Sequence, residues 1–130
     1  QVGLHSVALI HDVPVIIVGR KGTAGAVLWS DQRCSVIDTA YYVATKTDLE
    51  LRYIYQLLIV LELPSLTTQT AVPGLNRDRV YSIAVNLPPI AEQKRIVEIV
   101  SSMDAVIQAT EQAIAEAKVL RTTLLNQEIS

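Results

Sequence analysis

Two short segments of this chain hold most of the residues that could bind a charged or polar ligand. Residues 19–25 read GRKGTAG and place two cations between glycines, directly after an apolar run. Backbone amides that glycines leave free can hold a phosphate group. Residues 65–74 read SLTTQTAVPG and are rich in hydroxyl groups around one amide, Gln69. The first segment predicts contacts to an anion, and the second predicts hydrogen bonds to a partner with both donors and acceptors.

Neither segment carries the signature of an enzyme. Residues 19–25 lack the Gly-Lys-Ser/Thr ending of a nucleotide-binding loop and precede a strand-like run, so a solvated turn and a phosphate contact both remain open for Arg20 and Lys21. His5 and His11 are too few for a metal cluster, and Cys34 has no second sulfur. No paired acid and base emerges. The sequence therefore predicts no catalytic residue, no metal and no cofactor.

Composition predicts a folded, non-membrane protein. The chain has 130 residues, of which 50% are hydrophobic and 18% charged, enough for one domain with an appendage. A single cysteine excludes an intramolecular disulfide. No apolar run reaches the length of a membrane span and no signal peptide opens at Gln1, so we expect a cytoplasmic protein.

The charge balance limits how the chain could bind nucleic acid. Residues 1–90 contain seven Lys and Arg against seven Asp and Glu, a net charge of zero. Affinity for a polyanion comes from cations, so any contact with DNA must use a local cluster rather than the overall field.

The first two thirds of the chain predict a β-rich head with one packed helix. Alternating or β-branched runs predict strands at residues 7–10, 14–18, 26–29, 35–43 and 83–85. Tyr41 and Tyr42 should then point to opposite faces of the sheet. Apolar spacing of three and four predicts a helix over residues 49–63, with Asp48 as its N-cap and Pro64 at its end. Further along the chain, Asn76 can cap a short turn.

A hinge and a long helix follow the head. Residues 87–97 read LPPIAEQKRIV, and from Ala91 to the C-terminus there is no Gly or Pro. Apolar and small residues then recur in heptad spacing at Ile99, Met103, Val106, Thr110, Ala113, Ala117, Leu120 and Leu124. A helix from Ala91 to about Gln127 spans roughly 55 Å. The head is too small to cover it, so the seam predicts a partner helix.

Four motifs in this order resemble a known family. They are GRKGTAG at 19–25, VIDTAYY at 36–42, AVPGLN at 71–76 and LPPIAEQKRIV at 87–97. Together they resemble the DNA-specificity subunit of type I restriction-modification systems. The resemblance implies an α+β protein with a partial target-recognition domain at 1–89 and a conserved-region helix at 90–130. That helix would pair antiparallel with a counterpart in a coiled coil and set the spacing between the halves of a bipartite target.

The resemblance also implies partners and site residues. The partners would be double-stranded DNA, the modification (methyltransferase) subunits and, through them, the restriction subunit. Base edges would be read by Gln69 and Asn76 with Thr68 and Thr70 beside them, while phosphates or a guanine edge would be held by Arg20, Lys21 and Arg77, with Gly22 and Thr23 in the same turn. The helix interface would comprise Ile99, Met103, Val106, Ala113, Ala117, Leu120 and Leu124.

Alternatives remain open at the level of sequence. A full specificity subunit has two recognition domains and two long helices, whereas this chain is expected to have one long helix and a head that starts partway through a recognition domain. It could be a fragment that lacks upstream strands, or a half-subunit that rebuilds the symmetric arrangement as a homodimer. A noncatalytic dimerising scaffold that has lost DNA reading is the competing function. An enzyme that uses the glycine segment for phosphate ranks last.

Overall fold

The computed structural model describes residues 2–5, 8–10, 12–45 and 47–129. Val7, placed in a strand by the sequence, and His11 lie outside the described residues. Six strands are present: β1 Val2–His5, β2 Ala8–Ile10, β3 Val15–Gly19, β4 Val27–Ser30, β5 Cys34–Val36 and β6 Ala40–Thr45. The helices are α1 Leu51–Val60, a 3-10 turn Leu63–Leu66, α2 Arg77–Tyr81 and α3 Ile90–Ile129. The predicted α+β class is confirmed.

The head is organised around an antiparallel sheet of strand order β1-β6-β3-β4, while β2 and β5 form a separate two-stranded sheet. Strand β3 pairs on both sides, which explains its uninterrupted apolar run. Val18 faces Tyr41 and packs in the main core with α1, whereas Ile17 faces Tyr42 and packs in a smaller cluster near β5. The predicted separation of the two tyrosine rings onto opposite faces is confirmed.

Helix α1 covers the main core through a narrow apolar stripe. Ile54 and Leu58 lie one turn apart and are both buried against the sheet. The helix is shorter than the predicted 49–63. It begins after Glu50, whose carboxylate accepts a hydrogen bond from the Arg52 amide at 3.4 Å, so the cap is Glu50 and not Asp48.

The end of α1 was also predicted wrongly. The helix stops at Val60, and Glu62 then adopts a left-handed conformation with φ of 50°. Pro64 lies in the first turn of the following 3-10 helix. Backbone amides at this position have no acceptor within the helix, so a proline, which has no N–H, costs no hydrogen bond there.

Two predicted strands differ in the structure. Residues 35–43 form two strands, because the Ala40 amide donates to the Ile37 carbonyl at 3.0 Å and closes a turn between them. Residues 83–85 have no strand pairing among the described residues. The edge of β1 is instead covered by α2: the Leu4 amide donates to the Tyr81 hydroxyl at 2.8 Å, and Arg77 donates to the Leu4 carbonyl at 3.3 Å.

Contacts divide the chain into two units, residues 1–94 and residues 95–130. The head is the first unit and includes the first turn of α3. The second unit is the remainder of α3, in which every described residue from 101 to 129 is exposed. Helix α3 has 40 residues and is therefore about 60 Å long. Within the described part of the chain, no helix combines the length and apolarity that a membrane crossing requires.

Candidate nucleic-acid interface

The two segments singled out by their chemistry meet in the structure. Lys21 and Gly74 form an antiparallel bridge, and the Leu75 amide donates to the Arg20 carbonyl at 2.9 Å. The Thr68 amide donates to the Gly74 carbonyl at 3.0 Å, which closes the polar loop beside that bridge. We call residues 20–23 together with residues 68–74 the two-loop surface. Segments that are distant in sequence thus form one continuous candidate site.

Two glycines allow this close approach. A Cβ on Gly19 would collide with the Thr23 carbonyl, so the turn could not close with any larger residue. Gly25 has φ of +85°, and a Cβ there would collide with the backbone of Leu63 and Pro64. The glycine turn is therefore packed against the 3-10 turn that leads into the polar loop.

Within the glycine turn, Arg20 and Lys21 have different surroundings. Arg20 is half-buried, donates to the Asp38 carbonyl at 3.2 Å and lies 5.5 Å from the centre of the Tyr41 ring. Lys21 is exposed, and its side chain makes no hydrogen bond with the described residues. Arg20 thus has a role in holding the turn, while the Lys21 ammonium is available to a ligand.

The backbone of the same turn offers further donors. The amides of Arg20 and Lys21 both donate to the Thr39 carbonyl, at 2.9 and 3.1 Å. The amides of Gly22 and Thr23 have no acceptor among the described residues, and both residues are exposed. An anion at this turn could accept from two amides and from the neighbouring ammonium.

In the polar loop, the threonines hold the loop and the glutamine does not. Thr68 Oγ1 accepts from the Gly74 amide at 3.2 Å, and Thr70 Oγ1 donates to the Val72 carbonyl at 2.7 Å. Gln69 is exposed, and its amide makes no hydrogen bond within the described ranges. Its carboxamide can therefore give and accept a hydrogen bond together, which a bidentate contact to an adenine edge requires.

Asn76 and Arg77 contribute to the fold. Asn76 Oδ1 accepts from the Asp78 amide at 2.8 Å and caps α2, as the sequence predicted. One of the five N–H groups of Arg77 donates a hydrogen bond to the Leu4 carbonyl at the edge of β1. Both residues stay exposed. They remain predicted DNA contacts, with the Asn76 nitrogen and the other Arg77 donors as the groups available for them.

The seven cations counted in residues 1–90 include Arg52, but its guanidinium is stacked on an aromatic ring. The guanidinium of Arg52 lies 3.7 Å from the centre of the Trp29 ring, and the Trp29 indole nitrogen donates to Asp31 at 2.9 Å. This arrangement depends on α1 packing on β4, so no local sequence signal reveals it. Among the described side chains, no group of three or more His, Cys, Asp or Glu is placed to hold a metal ion.

The predicted helix interface is fully presented to solvent. Its members are exposed along α3: Ile99, Met103, Val106, Ala113, Ala117, Leu120 and Leu124. Val106 is 67% exposed and Leu120 59%. An apolar stripe of this length is unusual on a monomeric soluble protein, and these residues remain the predicted helix interface.

Comparison with known proteins identifies one family. Residues 7–119 match the family described as Type I restriction modification DNA specificity domain. A search of curated proteins found no match. The matched region includes the whole two-loop surface and most of α3.

Proposed function

We propose that this chain, which belongs to the family of type I restriction-modification DNA specificity domains, reads one half of a bipartite DNA target with its two-loop surface. The observation that carries the proposal is the bridge between Lys21 and Gly74, because it joins the anion-binding turn to the amide-bearing loop. A contact to the phosphate backbone and a contact to a base edge can then be made side by side.

The proposed role of each residue follows from which polar groups make no hydrogen bond within the described residues. Lys21 and the amides of Gly22 and Thr23 would bind a phosphate and fix the register of the head on the duplex. Gln69 would enter a groove and discriminate between base pairs. Because residues 1–90 are neutral overall, binding would depend on these local contacts and on partner subunits.

We further propose that α3 pairs antiparallel with the same helix of a second copy. Centred on Thr110 and Ala113, such pairing places Met103 opposite Leu120. It also places Ser102 beside Thr123 of the second copy at the edge of the seam, once on each side of the two-fold axis. Two heads joined in this way would read two half-sites, and the same helices would dock the methyltransferase subunits.

The test is selection of bound duplexes from a random library, with the chain alone and with the modification subunits. We expect the unmodified chain to enrich two half-sites at a fixed spacing. Val106→Glu with Leu120→Glu should abolish the pairing of half-sites, and Gln108→Glu, on the opposite side of α3, should not. Dimeric protein that enriches no sequence would instead support the scaffold.

Methyl transfer and cleavage would then depend on partner subunits. Purified chain should give no turnover with S-adenosylmethionine or with ATP and magnesium. Turnover that Lys21→Ala abolishes would contradict this and support a phosphate-loop enzyme.

A further inference from the structure

A single buried amide lies where the head meets the start of α3. Gln93 is 2% exposed and is the one buried polar side chain among those whose burial the structure describes. Its Oε1 accepts from the Glu50 amide at 3.0 Å, and its Nε2 donates to the Pro88 carbonyl at 2.9 Å. The sequence analysis assigned it no role, because its partners come from two separate segments.

These two bonds join three parts of the first unit. Glu50 is the N-cap of α1, Pro88 belongs to the hinge, and Gln93 lies in the first turn of α3. The Gln93 backbone amide also bonds the hinge, donating to the Pro89 carbonyl at 3.0 Å. One side chain thus ties the beginning of the long helix both to the hinge and to the helix that covers the core.

The chemistry of the site is specific for glutamine. A buried carboxamide is costly unless its donor and acceptor are both bonded, and here each has a partner. Leucine fills a similar volume but bonds neither group. Glutamate accepts from Glu50 but, when ionised, cannot donate to the Pro88 carbonyl. Asparagine is one methylene shorter and cannot span the two partners.

We infer that Gln93 is a positioning residue that anchors the first turn of α3 to the start of α1 and to the hinge, and thereby sets the spacing at which two half-sites are read. The inference rests on the proposed function, because spacing has meaning only if two heads bind one duplex. Each added base pair separates the half-sites by about 3.4 Å and rotates them around the duplex axis. An anchored turn restricts the pair of heads to one separation, whereas a loosened turn admits several.

The experiment compares Gln93→Leu, the matched control Gln108→Leu on exposed α3 and the unmodified chain by selection from a random duplex library. We expect all three to enrich the same half-site, since Gln93 is not in the two-loop surface. The unmodified chain and the control should enrich one spacer length. Gln93→Leu should enrich at least two neighbouring lengths, with the preference between them reduced about tenfold or more.

A second variant keeps the test decisive if Gln93→Leu fails to fold. Gln93→Glu leaves the acceptor for Glu50, and protonation of the introduced carboxyl restores a donor toward Pro88. Burial favours the neutral form of a carboxyl, so sharp spacing should return at about pH 5 and be lost at about pH 8. The unmodified chain at both pH values controls for other titrating groups.

Hydrogen exchange supplies a readout that does not use DNA. The Glu50 amide and the first turn of α3 should exchange at least about tenfold faster in Gln93→Leu than in the control. Faster exchange with an unchanged single spacer length would make Gln93 merely structural and overturn the inference. An unmodified chain that enriches no half-site would overturn the proposed function, and the inference with it.

Discussion

The head and the long helix obtain their stability from different sources. In the head, Ile16, Val18 and Leu63 are fully buried by contacts within the same chain. From residue 101 onward, α3 buries none of its described residues, although apolar and small residues recur along it in heptad spacing. Helices in water depend mainly on packing of an apolar face. The exposed seam of α3 therefore predicts an interface with another helix, which the following substitutions test.

The largest expected effect comes from placing charge on that seam. Val106→Glu with Leu120→Glu puts four carboxylates into one dimer interface, each without a partner. We expect loss of more than about 4 kcal/mol of association free energy, and hence a monomer, because uncompensated buried charges are that costly. Sedimentation measures the association, and circular dichroism should show loss of helix from α3.

The head should be untouched by that change. Near-ultraviolet circular dichroism, which reports the packing of Trp29, should match that of the unmodified chain. Gln108→Glu controls for added charge away from the seam. If the unmodified chain sediments as a monomer at tens of micromolar, α3 does not need a partner helix for its stability, and the contrast drawn between α3 and the head is wrong.

A second prediction tests the packing of the head at two glycines that share a conformation but differ in space. Gly25 and Gly22 both have positive φ, of +85° and +76°. An added Cβ meets the backbone of Pro64 at Gly25 and nothing within 4 Å at Gly22. Gly22→Ala should cost about 1 kcal/mol of unfolding free energy through strain alone. Gly25→Ala adds overpacking and should cost about 2–4 kcal/mol.

Urea unfolding followed by Trp29 fluorescence gives both values. Neither variant should alter dimerisation through α3. Equal losses for the two alanines would show that the glycine turn and the 3-10 turn are not in contact in solution.

The sequence predicts best where the determinants are local. The two prolines before Ile90 and the run without Gly or Pro after it give α3 nearly to its observed ends, and Asn76 caps α2 as expected. Local signals fail where two neighbouring residues compete, as Asp48 and Glu50 do for the α1 cap. They also fail where tertiary contacts decide the outcome, as for residues 83–85, which are apolar like a strand but have no strand pairing among the described residues.

The candidate site shows the same division. Composition alone identified the glycine turn and the polar loop as chemically interesting. Their contact through Lys21 and Gly74 is accompanied by the packing of Gly25 against Pro64. Both contacts join segments that are distant in the sequence, so the local spacing of residues does not predict them. The same holds for Gln93, whose two partners are far apart in sequence.

The third prediction separates the two parts of the two-loop surface. If Lys21 binds a phosphate, Lys21→Ala should weaken binding to every duplex alike and reduce the slope of log affinity against log salt by about one. If Gln69 makes a bidentate contact to adenine, Gln69→Ala should reduce discrimination by about 1–3 kcal/mol. Binding of the assembled complex to a target and a scrambled duplex at several salt concentrations measures both. Equal losses on both duplexes for both variants would make the polar loop only a turn.

The smallest expected effect tests the direction of the helix pair. In the antiparallel arrangement Ser102 lies beside Thr123 of the second copy at the edge of the seam. Ser102→Glu with Thr123→Lys therefore introduces an attractive pair on each side of the two-fold axis, and the two substitutions together should strengthen the dimer by about 0.2–1 kcal/mol per pair beyond the sum of their separate effects. A double-mutant cycle measures this coupling by sedimentation. The coupling should disappear at about 1 M salt, where the screening length is about 3 Å. In a parallel dimer the two positions are about 30 Å apart along the helices, so the two substitutions should not be coupled. Absence of coupling at low salt would therefore leave the seam intact as an interface but exclude the antiparallel pairing of two copies.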